Sequence, residues 1–177
     1  MSNNENLYEI GDWVVHLIYG VGQVKKLEEK PVGGIERLCY RVQTENGVFW
    51  LPVDNADNER VRPLARPELI QHALEILRKA PQKMAANFQT RRKRIRKVSL
   101  DGDLDTDLKL VRDLNARQFK KGLNATEQEA LNTIVKRFLQ EWSLSKDIEI
   151  REARQTFERF LRESRNKAKQ RKETMAA

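Results

Sequence analysis

Cysteine is almost absent from this 177-residue chain: one thiol, Cys39, stands alone in a strand-like run. A disulfide framework needs pairs and a thiolate metal site needs several sulfurs, so neither can be built within one chain. The thiol reads as a small buried apolar group. Histidine is nearly as scarce. His16 and His72 fall in different expected domains, and neither has a His, Cys or carboxylate at metal-ligand spacing. Both read as ordinary structural or surface residues, and no bound metal is expected. No apolar stretch approaches the roughly 18 residues of a membrane span. The opening residues, Met1 to Asn6, lack the basic and apolar regions of a signal peptide. A soluble, cytoplasmic protein with no membrane partner is expected.

Catalytic and ligand-loop motifs are missing as well. The run Asp101-Gly-Asp103-Leu-Asp105-Thr-Asp107 invites a calcium-loop reading, but its sixth position is Thr106 rather than glycine and its twelfth is Arg112 rather than glutamate. Acidic residues ahead of an apolar helical stripe complement the helix dipole and supply an N-cap, which accounts for them without a ligand. Gly20-Val-Gly22 is too short and too early for a phosphate-binding loop and reads as turn chemistry. No enzyme and no cofactor are expected.

What the chain has is charge, unevenly spread. Residues 1–66 hold eight Lys or Arg against ten Asp or Glu; of the totals of 34 and 26, this leaves twenty-six basic and sixteen acidic residues for 67–177. All of the net positive charge of +8 therefore lies in the second part. At this length two small domains fit better than one. The first sixty-odd residues carry strand signals at Trp13–Leu17, Gly22–Leu27, Leu38–Thr44 and Val48–Val53. Turns are expected at Gly20 and Gly22, at Pro31–Gly34, and at Asn46-Gly47, the favoured pair for a tight hairpin. Four or five short strands suggest a small barrel-like sheet, marginal by itself, which leans on a neighbour or leaves an edge strand open.

After Arg66-Pro67 the apolar period changes from two to about 3.6, with Pro67 suited to a first helical position. Leu69, Ile70, Ala73, Leu74 and Leu77 form the first stripe, ended near Ala80-Pro81. A second helix is expected from about Gln82 to Lys97. A third carries Leu104, Leu108, Val111 and Leu114 and closes at Gly122. The fourth carries Leu131, Ile134, Val135, Phe138, Leu139 and Trp142, and Asn124 with Glu127 resembles a capping box at its start. A fifth follows on Ile150, Ala153, Phe157, Phe160 and Leu161, fraying into a basic tail from about Ser164. The expected fold class is α+β: a β domain over 1–65, a bundle of five helices over 66–165, and a disordered basic tail over 166–177.

Between Phe88 and Lys97 the chain places one aromatic ahead of six cations in seven positions: Arg91, Arg92, Lys93, Arg94, Arg96 and Lys97. So charged a segment cannot join a core, and it is either a solvated helix face or a surface for a polyanion. Phe88 admits two readings. It lies four after Met84 and seven before Ile95, so a helix could direct all three into a core. Arg91 and Arg92, three and four residues on, would instead share a face with an apolar wedge between base steps. Trp50 is similarly open. Alternation puts Val48, Trp50 and Pro52 on one sheet face and Phe49, Leu51 and Val53 on the other. Both sets are apolar, so the sheet is covered twice or one face binds a protein.

Several strings resemble the CarD-like family of bacterial transcription regulators, whose N-terminal domain is shared with transcription-repair coupling factor. They are Ile10-Gly-Asp-Trp-Val-Val-His16, Tyr19-Gly-Val-Gly-Gln-Val24, Tyr40-Arg-Val42, Leu51-Pro-Val-Asp-Asn-Ala56, Asn87-Phe88 with its basic helix, Asp101-Gly-Asp103, Val111-Arg-Asp-Leu114 and Lys121-Gly-Leu-Asn124. A coupling factor would need helicase motifs, for which there is no room. The resemblance implies a Tudor-like N-terminal domain that binds the β subunit of RNA polymerase at its protrusion, and a helical domain on upstream promoter DNA that stabilises the open complex. It implies polymerase contacts along Tyr40, Arg41, Val42, Val48, Phe49, Trp50, Leu51 and Pro52, with help from Lys30. It implies DNA contacts from Phe88 and the six cations; phosphate contacts carry no sequence information, so little sequence specificity is expected, and a monomer is expected. Two positions depart from the family: Phe88 stands where a tryptophan wedge is common, and Trp50 where members carry an arginine. The rival readings are a free-standing nucleic-acid binder and a protein-only adaptor.

Overall fold

A computed structural model describes the backbone of residues 7–176 and the side chains of residues 7–170. The chain divides into two compact units, residues 1–64 and 65–177. The first holds five antiparallel strands, β1 (Trp13–His16), β2 (Gly20–Val32), β3 (Ile35–Thr44), β4 (Gly47–Pro52) and β5 (Val61–Pro63), in the order β4-β3-β2-β1-β5. A 3₁₀ turn, Val53–Asn55, follows β4. Alternation places Val24, Tyr40, Val42, Phe49 and Leu51 in one core with Val14 and Tyr8. Tyr40 also accepts, on its hydroxyl, the Tyr8 backbone N–H at 3.2 Å.

Turn chemistry sets the register. Gly33 and Gly34, both at positive φ (64° and 83°), make the two-residue link that pairs Val32 with Ile35, a conformation that side chains resist. Gly22 is required for space, since a Cβ there would meet Val42 Cγ1 at 2.6 Å. The β3–β4 link differs from expectation by one residue. Thr44 pairs with Gly47, so the turn is Glu45-Asn46, and neither of these has a positive φ. Gly47 opens the strand instead of finishing the turn. Strand β2 is also far longer than expected and runs through Val32.

The second unit comprises α1 (Pro67–Arg78), α2 (Phe88–Asp101), α3 (Leu104–Lys121), α4 (Ala125–Lys146) and α5 (Ile150–Ala176). Ile70, Leu77, Leu108, Leu114, Phe138 and Phe157 sit in its core, with ring centroids of Phe138 and Phe157 5.8 Å apart. On α1 the buried stripe is Ile70, Ala73, Leu74, Ile76 and Leu77. Leu69, expected on it, is exposed, because it lies one residue outside the arc that faces the core. Gly102, at φ 67°, stops α2, and the next residue, Asp103, caps α3 by accepting Thr106 N–H at 2.8 Å. Asn124 and Glu127 form a full capping box: Asn124 Oδ1 accepts from Glu127 N at 3.0 Å and Glu127 Oε2 from Asn124 N at 3.2 Å.

Two expectations fail here. Residues 81–87 are not helical; α2 begins at Phe88 because Asn87 caps it, its side chain accepting Thr90 N–H at 3.1 Å. The frayed tail from Ser164 is absent too, since α5 continues to Ala176. Ser164 is buried and donates to the Lys79 carbonyl at 2.6 Å, while Lys167 donates to the Arg78 carbonyl at 2.9 Å. These bonds satisfy carbonyls left open at the C-terminal end of α1, where a cation also suits the helix dipole.

Candidate nucleic-acid and protein interfaces

Helix α2 has two faces. Arg91, Ile95 and Val98 turn inward, while Arg92, Lys93, Arg96 and Lys97 are exposed. Phe88 is the first residue of the helix and is 41 % exposed. Because the helix starts there, the spacing that would have carried Met84, Phe88 and Ile95 into one core does not exist: Met84 and Ile95 are buried from a loop and a helix, and Phe88 is left outside. Phe88, Arg92 and Arg96 follow at steps of four, so one ridge of the helix carries an apolar tip and two guanidinium groups. Lys93 and Lys97 lie on the neighbouring ridge. Among the described residues these four cations have no ion-pair partner, which leaves their charge available to an incoming anion.

Two of the six expected DNA cations are spent internally. Arg91 is buried, donating from Nε to Glu127 Oε1 at 2.5 Å and from Nη1 to the carbonyls of Ala85 and Ala86 at 3.0 and 2.6 Å. Burial alone would raise the Glu127 carboxyl pKa, but Arg91, the Asn124 N–H and Arg117 outweigh it and hold the group below its ordinary value. Arg94 donates to Asp113 Oδ2 at 2.7 Å, and Asp113 also accepts from Arg112 Nε at 2.9 Å and from the Gln82 N–H at 2.8 Å. Arg91 and Arg94 thus fix the loop before α2 and dock α2 on α3 and α4. They are removed from the phosphate-binding set because their guanidinium donors are committed to carboxylates.

The β unit divides the same way. The side chains of Tyr40, Val42, Phe49 and Leu51 are buried in its core, so only their backbone is left to meet a partner. The opposite sheet face carries Lys26, Glu28, Lys30, Arg41, Val48, Trp50 and Pro52, as the cross-strand pairs Lys26–Arg41 and Arg41–Trp50 require. Trp50 is 42 % exposed there. Its indole N–H donates to Glu28 Oε1 at 2.6 Å, and Lys30 Nζ lies 5.0 Å from the ring centroid. Lys26, by hydrogen bond, and Trp50 after it draw the Glu28 carboxyl below its usual value. The ring is braced at its polar edge and under Lys30, and part of its apolar surface stays in solvent. Strand β4 carries it at the end of the sheet, paired on one side only.

Sequence reasoning missed a second aromatic at the surface. His16 Nδ1 accepts the N–H groups of Ile18 and Tyr19 at 3.0 and 3.2 Å, and its ring lies 4.5 Å from that of Tyr19, which stacks on Phe49 at 5.1 Å. No three His, Cys, Asp or Glu side chains among the described residues are grouped to hold a metal, and no described helix is long and apolar enough to cross a membrane.

The sequence pattern of the CarD-like/TRCF RID domain matches residues 8–65, and that of the CarD C-terminal domain matches residues 72–158. A relative from Bacillus subtilis (strain 168), named "Putative transcription factor YdeB", is 23% identical over 144 residues, covering 80% of this chain and 94% of its own.

Proposed function

The chain belongs to the CarD-like family, a transcription regulator of the RNA-polymerase-interacting type, and from that premise we propose that it docks on the polymerase β subunit at its protrusion and stabilises the open promoter complex through α2. The observation that carries this reading is the exposed ridge of Phe88, Arg92 and Arg96, an apolar tip beside unpaired cations at the start of a helix held rigidly by Arg91 and Arg94. Cations on one ridge suit the phosphates that flank a base step, and an apolar ring beside them suits insertion where strands part.

The β unit supplies the tether. Edge strand β4 offers unpaired backbone groups for strand addition, and Trp50, Lys30 and Arg41 offer an apolar and cationic face beside it. Binding polymerase raises the effective concentration of α2 at the adjacent DNA, so a contact too weak to form alone becomes populated. Phe88 then favours the opened junction over closed duplex, and only that difference in affinity shifts the balance. A differential of about 1.4 kcal/mol shifts it tenfold. Phosphate contacts carry no sequence information, so promoter choice rests with polymerase. The protein works as a cytoplasmic monomer brought to the nucleoid by polymerase, and it makes or breaks no bond.

The test is promoter opening with purified polymerase, comparing wild type, Phe88→Ala and a triple Gln substitution of Arg92, Arg96 and Lys97. Both variants should shorten the open-complex lifetime while polymerase binding persists. Equal lifetimes for all three proteins would remove α2 from the mechanism, and failure of wild type to bind polymerase would remove the tether.

A further inference from the structure

The far end of the helical unit carries a second aromatic among cations. Phe119, near the end of α3, is 68 % exposed, the most exposed aromatic ring among the described residues. It borders a cleft of about 440 Å³ between α3 and α5, lined also by Ala116, Lys120, Arg162, Arg165 and Lys169. Arg162, Arg165 and Lys169 recur at spacings of three and four, so α5 turns one cationic ridge toward the ring. Among the described residues Lys120, Arg162 and Lys169 have no ion-pair partner, and the carboxylate that lines the adjoining hollow is Glu158 alone.

Arg165 makes this more than a charged surface. Its guanidinium carbon stands 3.9 Å from the Phe119 ring centroid, and Nη1 is bonded to Asn115 Oδ1. The ring is thus backed by a planar cation that is itself pinned to α3. Burial, and then repulsion from Arg162, holds the Arg165 pKa below its ordinary value, so two crowded cations would gain from an anion placed between them.

From this arrangement we propose that the α3–α5 cleft binds single-stranded nucleic acid, one unpaired base stacking on Phe119 while its phosphates meet Arg162, Lys169 and Lys120. A base within a duplex has both faces covered by its neighbours, so an exposed ring on a rigid support selects a strand that is already unpaired. The cleft volume suits one nucleotide and is too small for a duplex. This surface is separate from the α2 ridge and does not depend on the reading given to it.

The experiment uses the full chain without polymerase and measures anisotropy of a labelled oligothymidine and of a matched duplex. Phe119→Ala should weaken single-strand binding about tenfold, the order of one lost base stack, and leave duplex binding unchanged. Phe119→Trp should preserve or tighten it, and Phe88→Ala should leave it alone, so that failure at α2 and failure here are read separately. Phe119 is exposed, and an unchanged unfolding curve would show that its variants fold. The proposal is overturned if wild type does not bind the oligomer, if Phe119→Ala binds as wild type does, if AMP binds as tightly as the oligomer, or if polyglutamate displaces the oligomer at equal charge.

Discussion

Arg91 Nε lies 2.5 Å from Glu127 Oε1, with both side chains buried, so the first cation of the basic run is a rivet between α2 and α4. Glu127 serves twice, because the same carboxylate closes the capping box that starts α4. Removing Arg91 would leave the buried Glu127 carboxylate with Arg117 as its one cation, at 3.3 Å, and free two carbonyls. Arg91→Ala is expected to cost about 3 kcal/mol of stability, the low end for breaking a buried pair because Arg117 still faces the carboxylate. Arg92→Ala, one residue on and exposed, is expected to stay within about 0.5 kcal/mol. Urea unfolding of the two variants checks this, and equal curves would contradict the rivet.

Salt dependence should count the free cations. Arg92, Lys93, Arg96 and Lys97 are open, whereas Arg91 and Arg94 are engaged. If all four meet phosphates, the slope of log affinity against log salt for duplex DNA should be about −3.6. Changing Arg96 to Gln should reduce its magnitude by about 0.9. A slope near −5.4 would mean that all six cations contact phosphate and that α2 reorganises on binding.

Much of this was legible locally. The capping box at Asn124 and Glu127, the stop at Gly122 and the strand alternation around Trp50 are short-range signals that tertiary packing did not override. The start of α2 was hidden because Met84, Phe88 and Ile95 imitate a helical stripe; Asn87 was the cue, a cap one residue ahead of the aromatic. The fate of Arg91 was not local at all, since its partner lies 36 residues away. The length of α5 is set non-locally in the same way: basic composition suggests a solvated tail, but Ser164 and Lys167 bond carbonyls 85 and 89 residues earlier.

Trp50 sits where it can act as an anchor without supporting the core. It is exposed, braced by Glu28 and Lys30, and paired across the sheet with Arg41. Trp50→Ala should leave the stability of the unit within about 0.5 kcal/mol. It should weaken polymerase binding by about 2 kcal/mol, roughly thirtyfold, the scale of a buried aromatic anchor. Binding to immobilised polymerase measures this, and unchanged affinity would move the contact away from β4.

His16 gives the β unit a dependence on pH. Its Nδ1 accepts two backbone N–H groups, which requires the unprotonated nitrogen, and burial, with Arg60 adding to it, lowers its pKa below the ordinary 6.5. The unfolded chain therefore takes up a proton first as pH falls, so the stability His16 contributes is complete above about 6.5 and is lost as pH descends toward the depressed value. In a Trp142→Phe background the fluorescence of Trp13 and Trp50 reports this unit alone. Its urea midpoint should fall between pH 8 and pH 5.5 in that background and stay level in the additional variant His16→Asn, whose amide oxygen can accept the same bonds without titrating. Parallel losses in both proteins would assign the effect to another group.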